Sequence, residues 1–349
     1  MPTNATVMPG RSNRTAVMDG IGRLHIEERP VPQPGDRELL VEVRSVGVCG
    51  SDVHFFEHGP RLNVFKPPHV LGHEVSGVVA AHGPRATRPP IGTRVAIEPS
   101  RPCGICSLCR GGRYNLCPQM RYLAAPPTEG GFARYLTVPE DFAYPVPAQI
   151  SDDAAALIEP LSVVVHAARC AEIGVGARVL VSGAGPIGLL MTQVARAIGA
   201  IEVNVSDINP FRLSLAETMG ATRVIDVSAA TPSAVRLEVD VFIECSGNPV
   251  ALPDGIRCVR PGGVAAVVGM IPTEDATIPL AFMQTREIRL VPTFRFANSY
   301  AAAIGLVATR AVRPEAIITG HLPLDRVETA LRAGRNDPRS VKTMITAQA

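Results

Sequence analysis

The sequence has no tryptophan, few aromatic residues and only two lysines, Lys66 and Lys342, so that nearly all of its basic charge rests on arginine. It also lacks an excess of charge of either sign. Against 34 Lys and Arg stand 32 Asp and Glu, a formal net charge of +2, which leaves no electrostatic footprint for nucleic acid or anionic lipid. No apolar run is long enough for a membrane. The longest uncharged stretch, between Arg178 and Arg196, is broken by Gly183, Gly185, Pro186 and Gly188, and it falls short of the roughly 20 residues a spanning helix needs. Residues 1–13 lack the apolar core of a secretory signal, and the expectation is a cytoplasmic protein whose partner is a small molecule, with no nucleic acid and no membrane. Cysteine is scarce too, with eight in all, four of them between Cys103 and Cys117. In a reducing compartment such crowding points to metal rather than to a disulfide framework.

What is present is length and apolar content, 349 residues of which 46% are hydrophobic, enough for two domains. From Thr15 to about Val146 short β-branched runs (Leu39–Val43, Val75–Ala80, Arg94–Ile97, Tyr135–Val138) alternate with Gly, Pro and Asp. That texture predicts an irregular, mostly antiparallel β domain. From Arg178 to Pro292 apolar strands alternate with helical patterns, which predicts βαβ units and a doubly wound parallel sheet. The expected strands are Arg178–Ser182, Ile201–Ser206, Arg223–Asp226, Val239–Glu244, Val264–Gly269 and Glu287–Val291, six in number as in one complete dinucleotide fold. The fold class is therefore α/β: residues 163–292 form the nucleotide domain, inserted into a first domain made of residues 1–162 and 293–349.

Gly183-Ala184-Gly185-Pro186-Ile187-Gly188 follows a strand and opens an amphipathic helix that runs to about Gly199. In that context a GxGxxG has a mechanical reading. Gly183 makes the tight turn, Gly185 admits the pyrophosphate to the backbone, and Gly188 lets helix and strand pack closely. Asp207 ends the next strand, where a carboxylate accepts from ribose hydroxyls and repels a 2′-phosphate, favouring NAD. Arg212, one helical turn further on, could stack on adenine or meet a phosphate.

Cys103, Cys106, Cys109 and Cys117 supply four thiolates in one loop, the donor set of a closed zinc site that staples structure and does no chemistry. A second set is dispersed: Cys49 in Cys49-Gly50-Ser51-Asp52, His73 and Glu74 after Gly72, and Glu159 before Pro160-Leu161. Taken singly, each has an ordinary alternative, a small core cysteine, a satisfied histidine or a solvated glutamate.

The order of these segments, CGSD, GHE, the cysteine loop, EPLSV from Glu159 and GAGPIGL from Gly183, resembles the zinc-dependent medium-chain dehydrogenases over nearly the whole chain. Glu159, at a place where alcohol dehydrogenases carry cysteine, is similar to the polyol branch, which includes the sorbitol, xylitol and L-idonate dehydrogenases. The resemblance implies a GroES-like catalytic domain joined to the nucleotide domain. It implies a catalytic zinc on Cys49, His73 and Glu74, with Glu159 holding the exchangeable water or ligating in turn, and a structural zinc on the cysteine loop. Two zinc ions and NAD are thus the implied cofactors, and the reaction is oxidation of a secondary alcohol, a polyol, to a ketone.

By the same resemblance Ser51 and His54 form a proton relay, and Ile187, Val267, Val268, Gly269, Phe294 and Arg295 lie near the nicotinamide. Arg295, Tyr122, Phe55 and Phe296 join Glu159 at the substrate, the two phenylalanines standing where polyol enzymes generally have tyrosine. A lost phenol removes a hydroxyl donor, which points to a substrate less hydroxylated than sorbitol or differently substituted. A homo-oligomer, a tetramer, is implied as well. Two other readings are an amino-alcohol or aminocyclitol dehydrogenase on the same scaffold and a nonenzymatic nucleotide-binding protein. The complete set Cys49, His73, Glu74 and Glu159 argues against the second.

Overall fold

The computed structural model of the chain describes residues 12–59, 67–272 and 275–347. The amino-terminal stretch read for a secretory signal lies outside them, but for Ser12 and Asn13. Among the described residues no helix is long and apolar enough to cross a membrane. Two compact units emerge, Met1–Glu159 with Ile318–Ala349, and Pro160–Ile317.

In the first unit the strand Glu38–Gly47 is the hub of a mostly antiparallel seven-stranded sheet. It pairs with Glu74–His82, with Tyr135–Pro139 and with the carboxy-terminal strand Lys342–Thr346. Alternation along Glu38–Gly47 sends Leu39, Val41 and Val43 into a core shared with Phe56, Ile97 and Phe132, all fully or nearly fully buried. Gly47 stands opposite Glu74 on one side and Met344 on the other. This register makes the ends of three strands converge at Cys49, Glu74 and Lys342.

The second unit is a six-stranded parallel sheet in the order Arg223–Asp226, Glu202–Asp207, Arg178–Ser182, Val239–Glu244, Val259–Val267, Arg289–Pro292. This is the doubly wound order 3-2-1-4-5-6, whose switch point lies beside the first strand. Three expected strands match residue for residue, and two others shift by one or two residues. The fifth begins at Val259 rather than Val264, because the Pro261-Gly262-Gly263 punctuation sits inside the strand as an irregularity. The register jumps from Val239↔Val259 to Val241↔Val264, with Gly262 at φ 73°. Val268 and Gly269 lie beyond its end.

The domain limits also differ from expectation. The first unit ends at Glu159 rather than residue 162, and the chain rejoins it at Ile318 rather than residue 293. The cause is packing within the second unit. Gln193 on the helix Pro186–Ile198 donates to the Arg313 carbonyl (3.3 Å) and accepts from the Arg313 N–H (2.8 Å), while Phe296, Tyr300, Ala303 and Val312 are buried.

Candidate metal centres and dinucleotide site

Cys49 is the N-cap of the helix Gly50–His58, in extended backbone at φ −93°. Its position is set by Asp52, whose Oδ2 accepts from the Cys49 N–H at 3.0 Å while Oδ1 accepts from the Gly72 N–H at 3.1 Å. The same Oδ1 lies 3.4 Å from His73 Nδ1, which leaves Nε2 as the ring nitrogen to offer a metal. One buried carboxylate thus orients two candidate ligands. Burial raises the Asp52 pKa, but the facing His73 and the two backbone N–H groups bring it below the usual carboxylate range. His73 is affected in the opposite direction. Burial disfavours its imidazolium, yet the charges of Asp52 and Cys49 lift its pKa well above the ordinary value.

Ligand atoms of Cys49, His73 and Glu74 all lie within 4.8 Å of one another. One ion with metal–ligand bonds of about 2.0–2.3 Å can bridge such a set, and sulfur, imidazole and carboxylate together suit zinc. Glu159 stands beside this group rather than in it. Its Oε1 accepts from the Tyr122 hydroxyl at 2.8 Å, and the Tyr122 ring lies 5.9 Å from that of His73. Burial pushes the Glu159 carboxyl up to about 7, aided by the charge of Glu74 and opposed by His73 and the Tyr122 hydroxyl.

Lys342 is the residue that sequence reasoning missed. Its Nζ donates to both Glu74 oxygens at 2.8 Å and to the Val48 carbonyl at 2.9 Å, with Lys342 and Glu74 both buried. Glu74 is therefore shared between an ammonium and the candidate metal centre. A carboxylate has lone pairs enough for both. The only local signal was the scarcity of lysine. Gly47 was missed as well. A Cβ there would fall 1.9 Å from Glu74 Oε2, so the carboxylate occupies the space that glycine leaves.

The four cysteines of the loop also come together, with ligand atoms within 4.8 Å. Cys106 Sγ is 3.4 Å and Cys103 Sγ 3.9 Å from Cys109 Sγ. These are near the roughly 3.8 Å edge of a tetrahedron with zinc–sulfur bonds of about 2.3 Å and far from the roughly 2.05 Å of a disulfide. Backbone N–H groups of Ile105 and Cys106 lower the Cys103 thiol to about 6, whereas burial and the Cys106 sulfur push Cys109 up to about 12. Four neighbouring sulfurs cannot all become anionic without a cation among them, and both donor sets fit zinc.

Two family descriptions match the chain, the alcohol dehydrogenase GroES-like domain over residues 35–148 and the zinc-binding dehydrogenase over residues 186–309. Sorbitol dehydrogenase of Bacillus subtilis is 37% identical over 340 residues, covering 95% of this chain and 96% of that one. The chain belongs to the polyol branch of the zinc-dependent medium-chain dehydrogenases. Among solved structures, L-idonate 5-dehydrogenase of Escherichia coli is 31% identical with a TM-score of 0.89, covering 97% of this chain and 99% of that one. A Sinorhizobium meliloti chain described as a zinc-binding dehydrogenase and bound to NADP gives 31% and 0.89, covering 97% and 100%.

In this dehydrogenase the glycine loop is built as its sequence requires. Gly183 is left-handed at φ 87°, with Ser246 within 2.8 Å of any added Cβ, and a Cβ on Gly188 would fall 1.8 Å from the Gly183 oxygen. Gly185 faces open space and caps the helix Pro186–Ile198, which has no side-chain cap of its own. Its first backbone N–H groups are therefore left for an anion. Asp207 Oδ2 accepts from the Ala184 N–H at 2.6 Å, and Oδ1 from the Asn209 N–H at 2.8 Å. Arg212 follows in the first turn of the helix Pro210–Thr218. Beyond the end of the fifth strand, Val259–Val267, Val268 and Gly269 donate to the Glu244 carbonyl, and Thr293 donates to Val267. Ile187, Val267, Val268 and Gly269 are half-buried at this carboxyl edge.

The remaining expected residues divide. His54 lies on the same helix as Ser51, and its ring centroid is 5.2 Å from that of His58, a neighbour the sequence reading did not include. Phe55 packs in part against the core. Phe294 is exposed, with the Arg295 guanidinium 4.8 Å from its ring centre. Phe296 requires correction as a substrate contact. It is fully buried, 5.6 Å from the Tyr300 ring centre, and presents no surface to a ligand, because the segment after the last strand turns into the second unit's own core.

Proposed function

We propose that the protein oxidises a secondary alcohol of a polyol to the ketone with NAD as acceptor, in a site where Cys49, His73 and Glu74 hold one zinc and Cys103, Cys106, Cys109 and Cys117 hold a second. The observation that carries this reading is the convergence of Cys49, His73 and Glu74 within 4.8 Å, next to Glu159. Zinc bound there supplies Lewis acidity that makes the substrate hydroxyl acidic near neutral pH. NAD supplies the hydride acceptor. The chain's own residues do the rest.

Asp52 fixes Cys49 and His73. Lys342 offsets the charge of Glu74, so that two anionic ligands can sit in a buried place. Glu159, poised near 7, takes up at its carboxylate oxygen the proton that the hydroxyl loses and then releases it, with Tyr122 fixing the carboxylate. Ser51 and His54, on the helix that Cys49 caps, carry the proton onward. Asp207 favours NAD, since its carboxylate already sits at the glycine loop, where a 2′-phosphate would be repelled; the Sinorhizobium relative's NADP makes this choice specific to the residues here. A cytoplasmic homotetramer belongs to the same reading, on the resemblance to polyol dehydrogenases.

The test is a screen of NAD and NADP reduction over polyols, cyclitols and amino alcohols, with and without chelator. Chelator-sensitive NAD reduction by a polyol is the expected result. Turnover confined to amino alcohols would transfer the assignment to that class, and turnover indifferent to chelation would overturn it.

A further inference from the structure

On the first unit a cavity of about 300 Å³ is lined by Arg29, Arg101, Arg121, Thr128 and Glu129, among other residues. Arg101 and Arg121 stand directly opposite each other in the short antiparallel pair Ser100–Arg101 and Arg121–Tyr122. Like charges placed so repel one another. Successive strand residues face opposite sides, so the face that Arg121 shares with Arg101 is not the one from which Tyr122 reaches Glu159.

Among the described residues, three guanidiniums and a single carboxylate, Glu129, line this cavity. Arg29 is neutralised by Glu27 at 2.5 Å and Glu129 at 2.7 Å. Arg101 donates to Glu38 at 2.9 Å and to the Thr137 carbonyl. For Arg121 no carboxylate lies within ion-pair reach among the described residues. Thr128 is buried, and its Oγ1 finds no hydrogen-bond partner among them. Buried hydroxyls are rarely left so, and one χ1 rotation redirects this one.

We propose that this cavity binds a phosphate group, gripped by Arg101 and Arg121 and capped by the Thr128 hydroxyl. Two guanidinium forks on adjacent strands and a hydroxyl supply donors from several directions, which suits a tetrahedral oxyanion better than a planar carboxylate. The group could arrive as free phosphate or as the end of a phosphate monoester.

Calorimetric titration with inorganic phosphate and, separately, methyl phosphate decides the matter, with the zinc-loaded protein saturated in NADH so that the glycine loop is already filled. One saturable phosphate per chain is expected, weakened about tenfold or more in Arg121→Gln and measurably in Thr128→Val, with NAD reduction unchanged in both variants. Equal binding of methyl phosphate assigns the site to esters, and binding of phosphate alone assigns it to the free ion. Absence of binding to the wild type, or binding unaltered in both variants, overturns the proposal. Thr128→Val keeps the test intact should Arg121→Gln fold poorly.

Discussion

Exchanging Asp52 for asparagine removes the charge that faces His73 and turns one acceptor toward Cys49 or Gly72 into a donor. Zinc affinity at the Cys49 centre should fall about 10- to 100-fold, as for other partners of ligating groups, read by competition with a chromogenic chelator. Unchanged affinity would reduce Asp52 to a helix cap. Lys342→Met leaves Glu74 as a buried carboxylate without its counter-ion. The metal-free variant should lose about 3–5 kcal/mol of stability, and zinc should restore part of it by supplying the missing positive charge. Denaturant melts of both forms measure this. A metal-free variant as stable as the wild type would show that Lys342 does not serve Glu74 as counter-ion.

At the scale of elements, the short strand Arg94–Ile97 delivers Glu98 into the interior beside the hydroxyls of Tyr114, Tyr144 and Ser100. Burial pushes its carboxyl up to about 7. An acid whose pKa is raised by folding stabilises the fold while it is protonated. The unfolded chain releases the proton near 4.5 and the folded one near 7, so this contribution is lost as pH rises through that window. Glu98→Gln should flatten the fall in melting temperature across it, and by about pH 7.5 should be more stable than the wild type by about 1–3 kcal/mol. Parallel pH profiles for the two proteins would contradict this.

Much at this scale was legible in the sequence. The period of the parallel strands, the glycine loop and the cysteine spacing are local signals, each written within a short stretch of chain. What was not legible depends on contacts between distant segments. Lys342 reaches Glu74 only because strand register brings the chain's end beside Gly47, and Phe296 is buried only because its segment packs with Tyr300. The bond from the Tyr122 hydroxyl to Glu159 likewise joins segments far apart in the chain, and no local signal announced it.

For the whole molecule, one chain carries two donor sets of opposite character, a loop of four sulfurs with no open position and a mixed set of three with room for a fourth ligand. The second unit contributes the parallel sheet whose carboxyl edge holds the glycine loop, Asp207 and the segment Val267–Gly269. The measurement that reaches the central claim most directly is the zinc content of purified wild type and His73→Ala, taken together with NAD reduction by a polyol. Two zinc ions per chain and turnover are expected in the wild type, and one zinc and no turnover in the variant. A variant that keeps two zinc ions, or a wild type that turns over with only one, would contradict it.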